Sequence, residues 1–250
     1  MGHGQGRGEG RTRYGYHATV HLPALIEGRL IRRYKRFLAD VELVGGTIVT
    51  AHCPNSGSMK GCLGEGWPVR LSTSTNPKRK HRHTWELVHN GACWIAVNTL
   101  RTNDVVEEGV RAGSIPELGG FEELRREVRL GEHSRIDLTV DRGCGRTWVE
   151  VKSVTMVDHQ GRYAFPDAVT ARGLKHLAEL AAVVTAGDNA VMLFLIQRAD
   201  GCGFTVADDI DPAYGNTLRR ARAAGVGVLA YRADVSPEHI TVAERIVVEL

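Results

Sequence analysis

The spacing of apolar residues in this chain changes near residue 96, and that change limits the folds that the chain can adopt. From about residue 18 to 95 the apolar runs are short and are separated by glycine or proline, as at Gly45-Gly46 and in segment 53–57. Short strands joined by such turns predict a small antiparallel β-barrel or sheet. Residues 1–13 alternate glycine with polar groups and contain no apolar mass, so they predict a flexible tail outside the fold.

The second part of the chain alternates between helical and strand-like segments. An N-cap at Asn103 with a stop at Gly113 predicts one helix, apolar periodicity predicts another over about 167–184, and a third is expected over about 212–224. The strand-like segments are REVRL, SRIDLTV, TWVEVKSVT, NAVMLFLIQ and VGVLAYRA. The pattern predicts a mixed α/β protein of two domains, with a basic β domain over residues 14–95 and an α/β domain over residues 96–250.

Charge divides the chain into the same two parts. Residues 1–95 contain 14 Lys and Arg against 6 Asp and Glu, a net of +8, whereas residues 96–250 contain 18 against 23, a net of −5. Clustered cations bind phosphates in a salt-dependent manner without reading sequence, so they predict binding to a single- or double-stranded nucleic acid, with a solvated surface that binds nothing as the alternative. A barrel of the oligonucleotide-binding type suits this size and charge, although spacing alone does not select it. The candidate DNA-binding residues here are Arg32, Arg33, Lys35, Arg36, Lys78, Arg79, Lys80 and Arg82.

The sequence favours a cytoplasmic protein. No apolar run approaches the roughly 18 residues that a membrane span requires. The first residues contain no apolar segment of the secretory type, and the cysteines form no Cys-x-x-Cys pair. We therefore expect free thiols and no membrane partner.

Two strand-like segments joined by the short link DRGCGR predict a β-hairpin that carries two carboxylates. If the turn is centred on Gly143 and Cys144, the positions of paired residues add up to 287. Asp137 would then lie opposite Glu150, with β-carbons about 4.5 to 5.5 Å apart. Facing carboxylates repel each other unless a positive charge lies between them, and a divalent cation provides that charge.

Mg²⁺ or Mn²⁺ is the predicted ion at Asp137 and Glu150, because hard oxygen ligands with open water positions suit these ions better than zinc. Lys152 lies two residues beyond Glu150 on the same strand face. There it would offset charge on a phosphate oxygen and position a water molecule. The alternative is that both acids form only surface ion pairs with Arg135 and Lys152.

The pattern of Asp137 followed by Glu150-Val151-Lys152 resembles the site of the PD-(D/E)XK nuclease superfamily, with Ile136 in place of the proline. Longer segments resemble the sugar fermentation stimulation protein A family, namely RYKRFLADV (33–41), HCPNSGSM (52–59), KRKHRHTWEL (78–87), SRIDLTV (134–140), EVKSVT (150–155), FPDAVTARGLKHLAEL (165–180) and LAYRADVS (229–236). The resemblance implies an N-terminal oligonucleotide-binding-like domain, a C-terminal nuclease-like domain and DNA binding without sequence preference. Members of the family have been regarded as regulators of maltose metabolism, so a nuclease-like site does not by itself establish cleavage.

Superfamily members often add an acid from a helix before the hairpin, and Glu108 is our candidate for this catalytic position. Glu107 and Glu127 are the alternatives.

The later helix is predicted to place a polar stripe beside the site. Arg172 and Lys175 begin this stripe and are candidates for contact with a DNA phosphate, although an ordinary solvated face fits the pattern equally well. His176 falls on the same polar side, and the proposed chemistry does not require it as a general base.

The sequence supports three functional hypotheses. The first is a DNA-binding protein with a Mg²⁺- or Mn²⁺-dependent deoxyribonuclease site that hydrolyses phosphodiesters. The second is a non-enzymatic DNA-binding regulator, for example of sugar metabolism, with a vestigial nuclease fold. The third is an enzyme that acts on a smaller phosphorylated ligand, which predicts no salt-sensitive affinity for long duplexes.

Overall fold

The computed structural model describes residues 19–131 and 134–250. The predicted tail, residues 1–13, lies outside the described residues. In chain order, the strands of the described part are β1 (Val20–His21), β2 (Leu25–Tyr34), β3 (Leu38–Leu43), β4 (Ile48–His52), β5 (Pro68–Thr73), β6 (His83–His89), β7 (Trp94–Ala96), β8 (Glu123–Leu130), β9 (Ser134–Arg142), β10 (Gly145–Val154), β11 (Met156–Val157), β12 (Arg162–Phe165), β13 (Asn189–Ile196), β14 (Cys202–Val206), β15 (Gly227–Val235), β16 (His239–Arg245) and β17 (Val248–Glu249). The α-helices of that part are α1 (Thr102–Arg111), α2 (Ala171–Thr185) and α3 (Pro212–Ala223).

The N-terminal part is a closed β-barrel, which confirms the prediction for this segment. Strands β4, β3, β2, β5 and β6 pair antiparallel in that order, and a parallel pairing of β4 with β6 closes the barrel. Alternate residues of these strands point inward because side chains in a strand have a period of two. The interior is filled by buried apolar side chains such as Leu30, Val41, Val69, Leu71 and Trp85.

The C-terminal part is an α/β layer built on a seven-stranded mixed sheet of order β1-β16-β15-β13-β10-β9-β8. Its central strands β10, β13 and β15 run parallel, whereas the pairs at both ends are antiparallel. Along β13, Leu193 and Leu195 belong to the core that α1 covers, while Phe194 belongs to the core beneath α2 and α3. A sheet covered on both faces requires continuous apolar strands, which explains the run NAVMLFLI.

Two features of the topology differ from the sequence pattern. A second sheet of order β11-β12-β14-β17 extends the α/β part, and its strands are too short to give a periodic signal. Residues Val20–His21, which we placed in the N-terminal domain, pair with β16 in the C-terminal sheet. The hydrogen bond from Leu22 N to Glu238 O, 2.9 Å long, continues this attachment, so the chain enters the barrel only afterwards.

The capping side chains determine where the helices begin. Helix α1 begins at Thr102 because a short 3₁₀ turn, capped by Asn98, precedes it, so Asn103 lies inside the helix and is not its cap. Helix α2 begins later than expected because Thr170 caps it by accepting a hydrogen bond from Gly173 N. None of the helices in residues 19–131 and 134–250 is long and apolar enough to span a lipid bilayer.

Candidate active site

The hairpin of β9 and β10 has the register that the sequence predicts. Its paired residues run from Arg142 with Gly145 to Leu138 with Val149, and each pair of positions adds up to 287. The next position along this register is that of Asp137 and Glu150. The backbone pairing of the two strands ends before this position.

Asp137 is held by two hydrogen bonds. Its Oδ2 accepts from the backbone N–H of Val151 and its Oδ1 accepts from Asn103 Nδ2, both at 2.8 Å. Asn103 lies on α1, which packs over this end of the sheet. The carboxylate takes the place of a backbone partner for Val151, so its orientation is fixed by the fold.

Glu150 is buried, with 2% of its surface exposed. Its Oε1 accepts hydrogen bonds from Lys152 Nζ at 2.5 Å and from the His176 imidazole. Its Oε2 is also buried and has no hydrogen-bond partner among the described residues. A buried carboxylate oxygen without a partner is costly, and it is therefore a feature that requires an explanation.

The two acids have pKa values displaced in opposite directions. Burial and the nearby charge of Glu150 raise the pKa of Asp137 above its usual range. Burial alone would raise the pKa of Glu150 as well, but the hydrogen bond from His176 and the charge of Lys152 outweigh it and lower that pKa. Carboxylates whose environments separate their pKa values are typical of catalytic sites.

His176 is a site residue that our sequence analysis placed on the wrong face of α2. It is buried with Gly173, Leu177, Leu180 and Val183, on the face that packs against the sheet. The spacing of these residues by three and four positions was the available signal, because it puts His176 within the apolar stripe. Its Nδ1 faces Glu150, and its Nε2 accepts from Arg172 Nε at 3.4 Å. Lys152 Nζ also lies 3.2 Å from Nδ1, so His176, Glu150 and Lys152 form one polar cluster.

Asp137, Glu150, Lys152 and His176 line one cavity of about 450 Å³. The barrel contributes to the same cavity through Arg36 and the segment Asn55, Ser56 and Gly57. The cavity therefore lies where the basic part of the chain meets the two carboxylates.

Asp167, which the sequence analysis did not select, attaches the barrel loop 55–59 to this cavity. Its Oδ2 accepts from Met59 N at 3.0 Å and from the Ser58 hydroxyl at 3.4 Å. A β-carbon on Gly57 would lie only 2.4 Å from Asp167 Oδ2, so any larger residue here would displace the Asp167 carboxylate. The same loop is held from the barrel side by Arg33, whose guanidinium donates to the carbonyls of Asn55 and Gly57 at 2.8 and 3.0 Å. Arg33 thus supports the loop, because its guanidinium donates hydrogen bonds to protein carbonyls.

Glu108 does not join the carboxylate pair. Its side chain is exposed and lines a different cavity, together with Asp104 and Glu107. The helix explains this separation, because Asn103 faces Asp137 and a residue five positions later lies roughly 140° further around the axis. Of the alternatives, Glu107 pairs with Arg111, whereas Glu127 lines a second cavity that also includes Asp137.

The other predicted DNA contacts lie on the surface. Arg32 pairs with Asp40 and lies over the Tyr34 ring, while Lys35 and Arg36 are exposed at the turn between β2 and β3. Arg172 and Lys175 are exposed at the start of α2 and line the second cavity. The segment that joins β5 to β6 carries the exposed side chains of Lys78, Arg79, Lys80 and Arg82.

The donor set suits a hard divalent cation. Within the part of the chain that the structure describes, no group of three or more His, Cys, Asp or Glu residues is arranged to hold a metal ion. Asp137 and Glu150 line the same cavity, the charge of Glu150 acts on Asp137, and the buried Oε2 of Glu150 has no hydrogen-bond partner in the described ranges that would compete with a cation. Asp137 and Glu150 therefore fit Mg²⁺ or Mn²⁺, which retain several water ligands and bind through one or two carboxylates.

Comparison with known proteins gives consistent matches over nearly the whole chain. The SfsA N-terminal OB domain matches residues 31–97, and the Sugar fermentation stimulation protein RE domain matches residues 100–239. The sugar fermentation stimulation protein homolog of Geobacter sulfurreducens is 56% identical over 222 residues, which cover 89% of this chain and 95% of that protein. The homolog of Acidithiobacillus ferrooxidans is 53% identical over 223 residues, which cover 89% and 96% of the two chains.

Among solved structures, Pyrococcus furiosus SfsA in complex with Ca²⁺ has the same fold. The TM-score is 0.82 at 23% sequence identity, and the match covers 92% of this chain and 98% of that chain.

Proposed function

The chain belongs to the sugar fermentation stimulation protein family, and from the geometry of its site we propose that it is a divalent-metal-dependent nuclease that binds DNA without sequence preference. The observation that carries the proposal is the buried, unpartnered Oε2 of Glu150 beside Asp137, in a cavity that both parts of the chain line. Pyrococcus furiosus SfsA, which shares the fold, was solved in complex with Ca²⁺, and this adds support for a cation in this chain.

The protein's own residues would prepare the site for phosphodiester hydrolysis. Asn103 and the Val151 N–H hold the Asp137 carboxylate, while His176 holds Glu150, so both oxygen ligands are positioned before any ion arrives. Lys152 lies on the same cavity and would offset charge that develops on a phosphate oxygen. Mg²⁺ or Mn²⁺ would supply Lewis-acid chemistry, lowering the pKa of water and neutralising phosphate charge.

DNA would reach this site along the basic surface of the barrel. Arg36 lines the catalytic cavity itself, and Lys35 precedes it on the same exposed turn. Sequence-independent binding follows because cations on this surface contact phosphates, and phosphate contacts position a protein without identifying bases.

The proposal is tested by cleavage of plasmid and single-stranded DNA in Mg²⁺ or Mn²⁺. We expect the protein to cleave DNA, and Asp137→Ala and Lys152→Ala each to reduce the rate by roughly a hundredfold or more, as loss of a preorganised charge does in other enzymes. Parallel preparations of the variants serve as the contamination control, since a co-purified nuclease would survive both substitutions. Nicking at equal rates in all three proteins would contradict the proposal.

One observation favours a non-enzymatic DNA-binding regulator as the second candidate. Glu150 Oε1 is already compensated by Lys152 and His176, so a folded site without activity is physically reasonable. This alternative predicts salt-dependent DNA binding without divalent-ion-dependent cleavage, and the same assay separates it from the nuclease.

Neutralising the cluster between β5 and β6 tests the DNA-binding part of the proposal. The triple change of Lys78, Arg79 and Lys80 to glutamine should weaken DNA binding and flatten its dependence on salt. Each lost phosphate contact reduces the slope of log K against log salt by about 0.9 for duplex DNA. Titrations at several salt concentrations measure this slope, and an unchanged slope would show that the cluster does not contact DNA. Glu65→Gln, a change at an exposed acid elsewhere on the barrel part, provides a control for the handling of barrel variants.

A further inference from the structure

We propose that the catalytic cavity takes an unpaired DNA strand, with bases packed on an apolar rim formed by Phe37, Leu100 and Val169. This inference rests on the proposed function and specifies the form of its substrate. It is carried by three exposed apolar residues, of which Val169 lines the polar cavity and Phe37 and Leu100 directly follow lining residues, and by a second cavity that shares residues with the first.

The apolar rim is exposed to solvent. Val169 lines the catalytic cavity and is 76% exposed, and Leu100 is 69% exposed and follows Thr99, which lines the same cavity. Phe37 is 47% exposed and follows Arg36, another lining residue.

Hydrogen bonds to the neighbouring residues Cys53 and Pro54 bring two parts of the rim close together. The Phe37 carbonyl accepts from Cys53 N at 2.7 Å, and the Thr99 hydroxyl donates to the carbonyl of the next residue, Pro54, at 3.1 Å. The turn that carries Phe37 and the segment that carries Leu100 are therefore neighbours.

An apolar rim discriminates between the two forms of DNA. A duplex presents phosphates and sugars outward and stacks its bases inside, so it offers little apolar surface to Leu100 or Val169. The bases of a single strand are accessible and pack on apolar and aromatic side chains, and apolar side chains can also act as wedges between base steps. Covering these side chains removes apolar surface from water only when the strand is unpaired.

The cavity continues past the carboxylates into a cationic region. A second cavity of about 570 Å³ shares Asp137, Arg172 and His176 with the catalytic cavity. Its other charged lining residues are the cations Arg129, Arg135 and Lys175 and the acid Glu127. A strand whose scissile phosphate lies at Asp137 would place a neighbouring phosphate among these cations, with charge-assisted contacts.

The depth of the site also favours a flexible substrate. Glu150 is 2% exposed, and its carboxylate lies between the sheet and α2. A phosphate must enter the cavity to approach this carboxylate, and a single strand bends into such a cavity more readily than a duplex, whose persistence length is about 50 nm.

Binding measurements on the full chain test the inference independently of catalysis. The probe is a fluorescent 20-nucleotide DNA, used single-stranded and as a duplex, in EDTA so that no cleavage occurs. The double variant Leu100→Ser with Val169→Ser is compared with Val247→Ser, a change at an apolar residue of 71% exposure that lies outside both cavities. We expect the double variant to bind the single strand roughly tenfold more weakly, because serine removes apolar surface that the bases would cover, and the duplex with little change.

The outcomes separate this inference from the proposed nuclease function. Unchanged affinity for the single strand, or an equal loss for duplex and single strand, would overturn the inference even if the protein cleaves DNA. A selective loss of single-strand affinity supports it even if the wild-type protein proves inactive with Mg²⁺ and Mn²⁺. Where cleavage does occur, a faster rate on the duplex than on the single strand would also count against it.

Discussion

Replacing Glu150 with glutamine is expected to reduce divalent-ion-dependent cleavage by about a thousandfold, which corresponds to about 4 kcal/mol of transition-state stabilisation. Glutamine retains the shape of the side chain and can still accept at the Oε1 position from His176. It lacks the negative charge that a cation requires at Oε2, the buried oxygen without a partner. Cation binding should therefore fail while the polypeptide remains folded.

Thermal unfolding provides a second measurement of the same change. A ligand that binds only the folded state stabilises it by about 2.7 kcal/mol at a concentration 100 times its dissociation constant. Mn²⁺ should therefore raise the melting temperature of the wild-type protein and leave that of Glu150→Gln unchanged. Glu108→Gln is the matched control, since Glu108 is a glutamate in a different cavity. An equal Mn²⁺ effect in the wild type and Glu150→Gln would show that Glu150 does not bind the ion.

The hairpin is the part of the site that sequence predicts best. A two-residue period and a short glycine-containing link determine which residues of β9 and β10 are opposite each other, and the observed register agrees. Alternation along SRIDLTV predicts that Thr139 shares an exposed face with Arg135 and Asp137, but Thr139 is fully buried. Helices cover both faces of the sheet, and the sequence of one strand does not show that its more polar face is also covered.

Residues brought from distant segments were harder to predict. Asn103 reaches Asp137 from α1, and Asp167 attaches the barrel loop at Met59, 108 positions away along the chain. Each is an ordinary polar residue in its own segment, and its role appears only when tertiary packing brings two segments together. Glu108 was misplaced for a related reason. Its position in the chain, before the hairpin, suggested a place in the site, but its side chain leaves α1 in a different direction and lines another cavity.

The junction between the barrel and the site depends on Glu86, a buried residue of β6. Its carboxylate accepts from Arg101 Nε at 2.7 Å, Asn98 Nδ2 at 2.8 Å and the Ser72 hydroxyl at 2.6 Å. Arg101 immediately precedes α1, the helix that carries Asn103 to Asp137. Glu86 therefore connects the barrel to the helix whose Asn103 holds the Asp137 carboxylate.

Glu86→Gln is expected to lower the free energy of unfolding by about 3 to 5 kcal/mol, because it leaves the partly buried Arg101 without its charge partner. Urea unfolding measures this loss, with Arg111→Gln, in a more exposed ion pair, expected to cost at most about 1 kcal/mol. If Glu86→Gln does not fold, the double variant Glu86→Gln with Arg101→Leu should recover part of the stability, since neither side of the pair then remains charged. Equal stability of Glu86→Gln and wild type would show that the pair does not hold the junction.

The pH dependence of stability is an independent test of the role of Glu86. Burial tends to raise the pKa of Glu86, but Arg101, Ser72 and Asn98 outweigh it, so the folded-state pKa lies below the ordinary value of 4.5. A carboxyl whose pKa is lowered by folding contributes stability that is fully present above its unfolded pKa and is lost as pH falls through its folded pKa. The wild-type protein should therefore lose this contribution on acidification below about pH 4.5, whereas Glu86→Gln should show a flatter profile in the same range.

The cleavage rate of Glu86→Gln tests the link to the site. Because Asn103 lies on α1, cleavage by the variant should decline together with its stability. Full activity in a destabilised variant would show that α1 keeps its position without this ion pair.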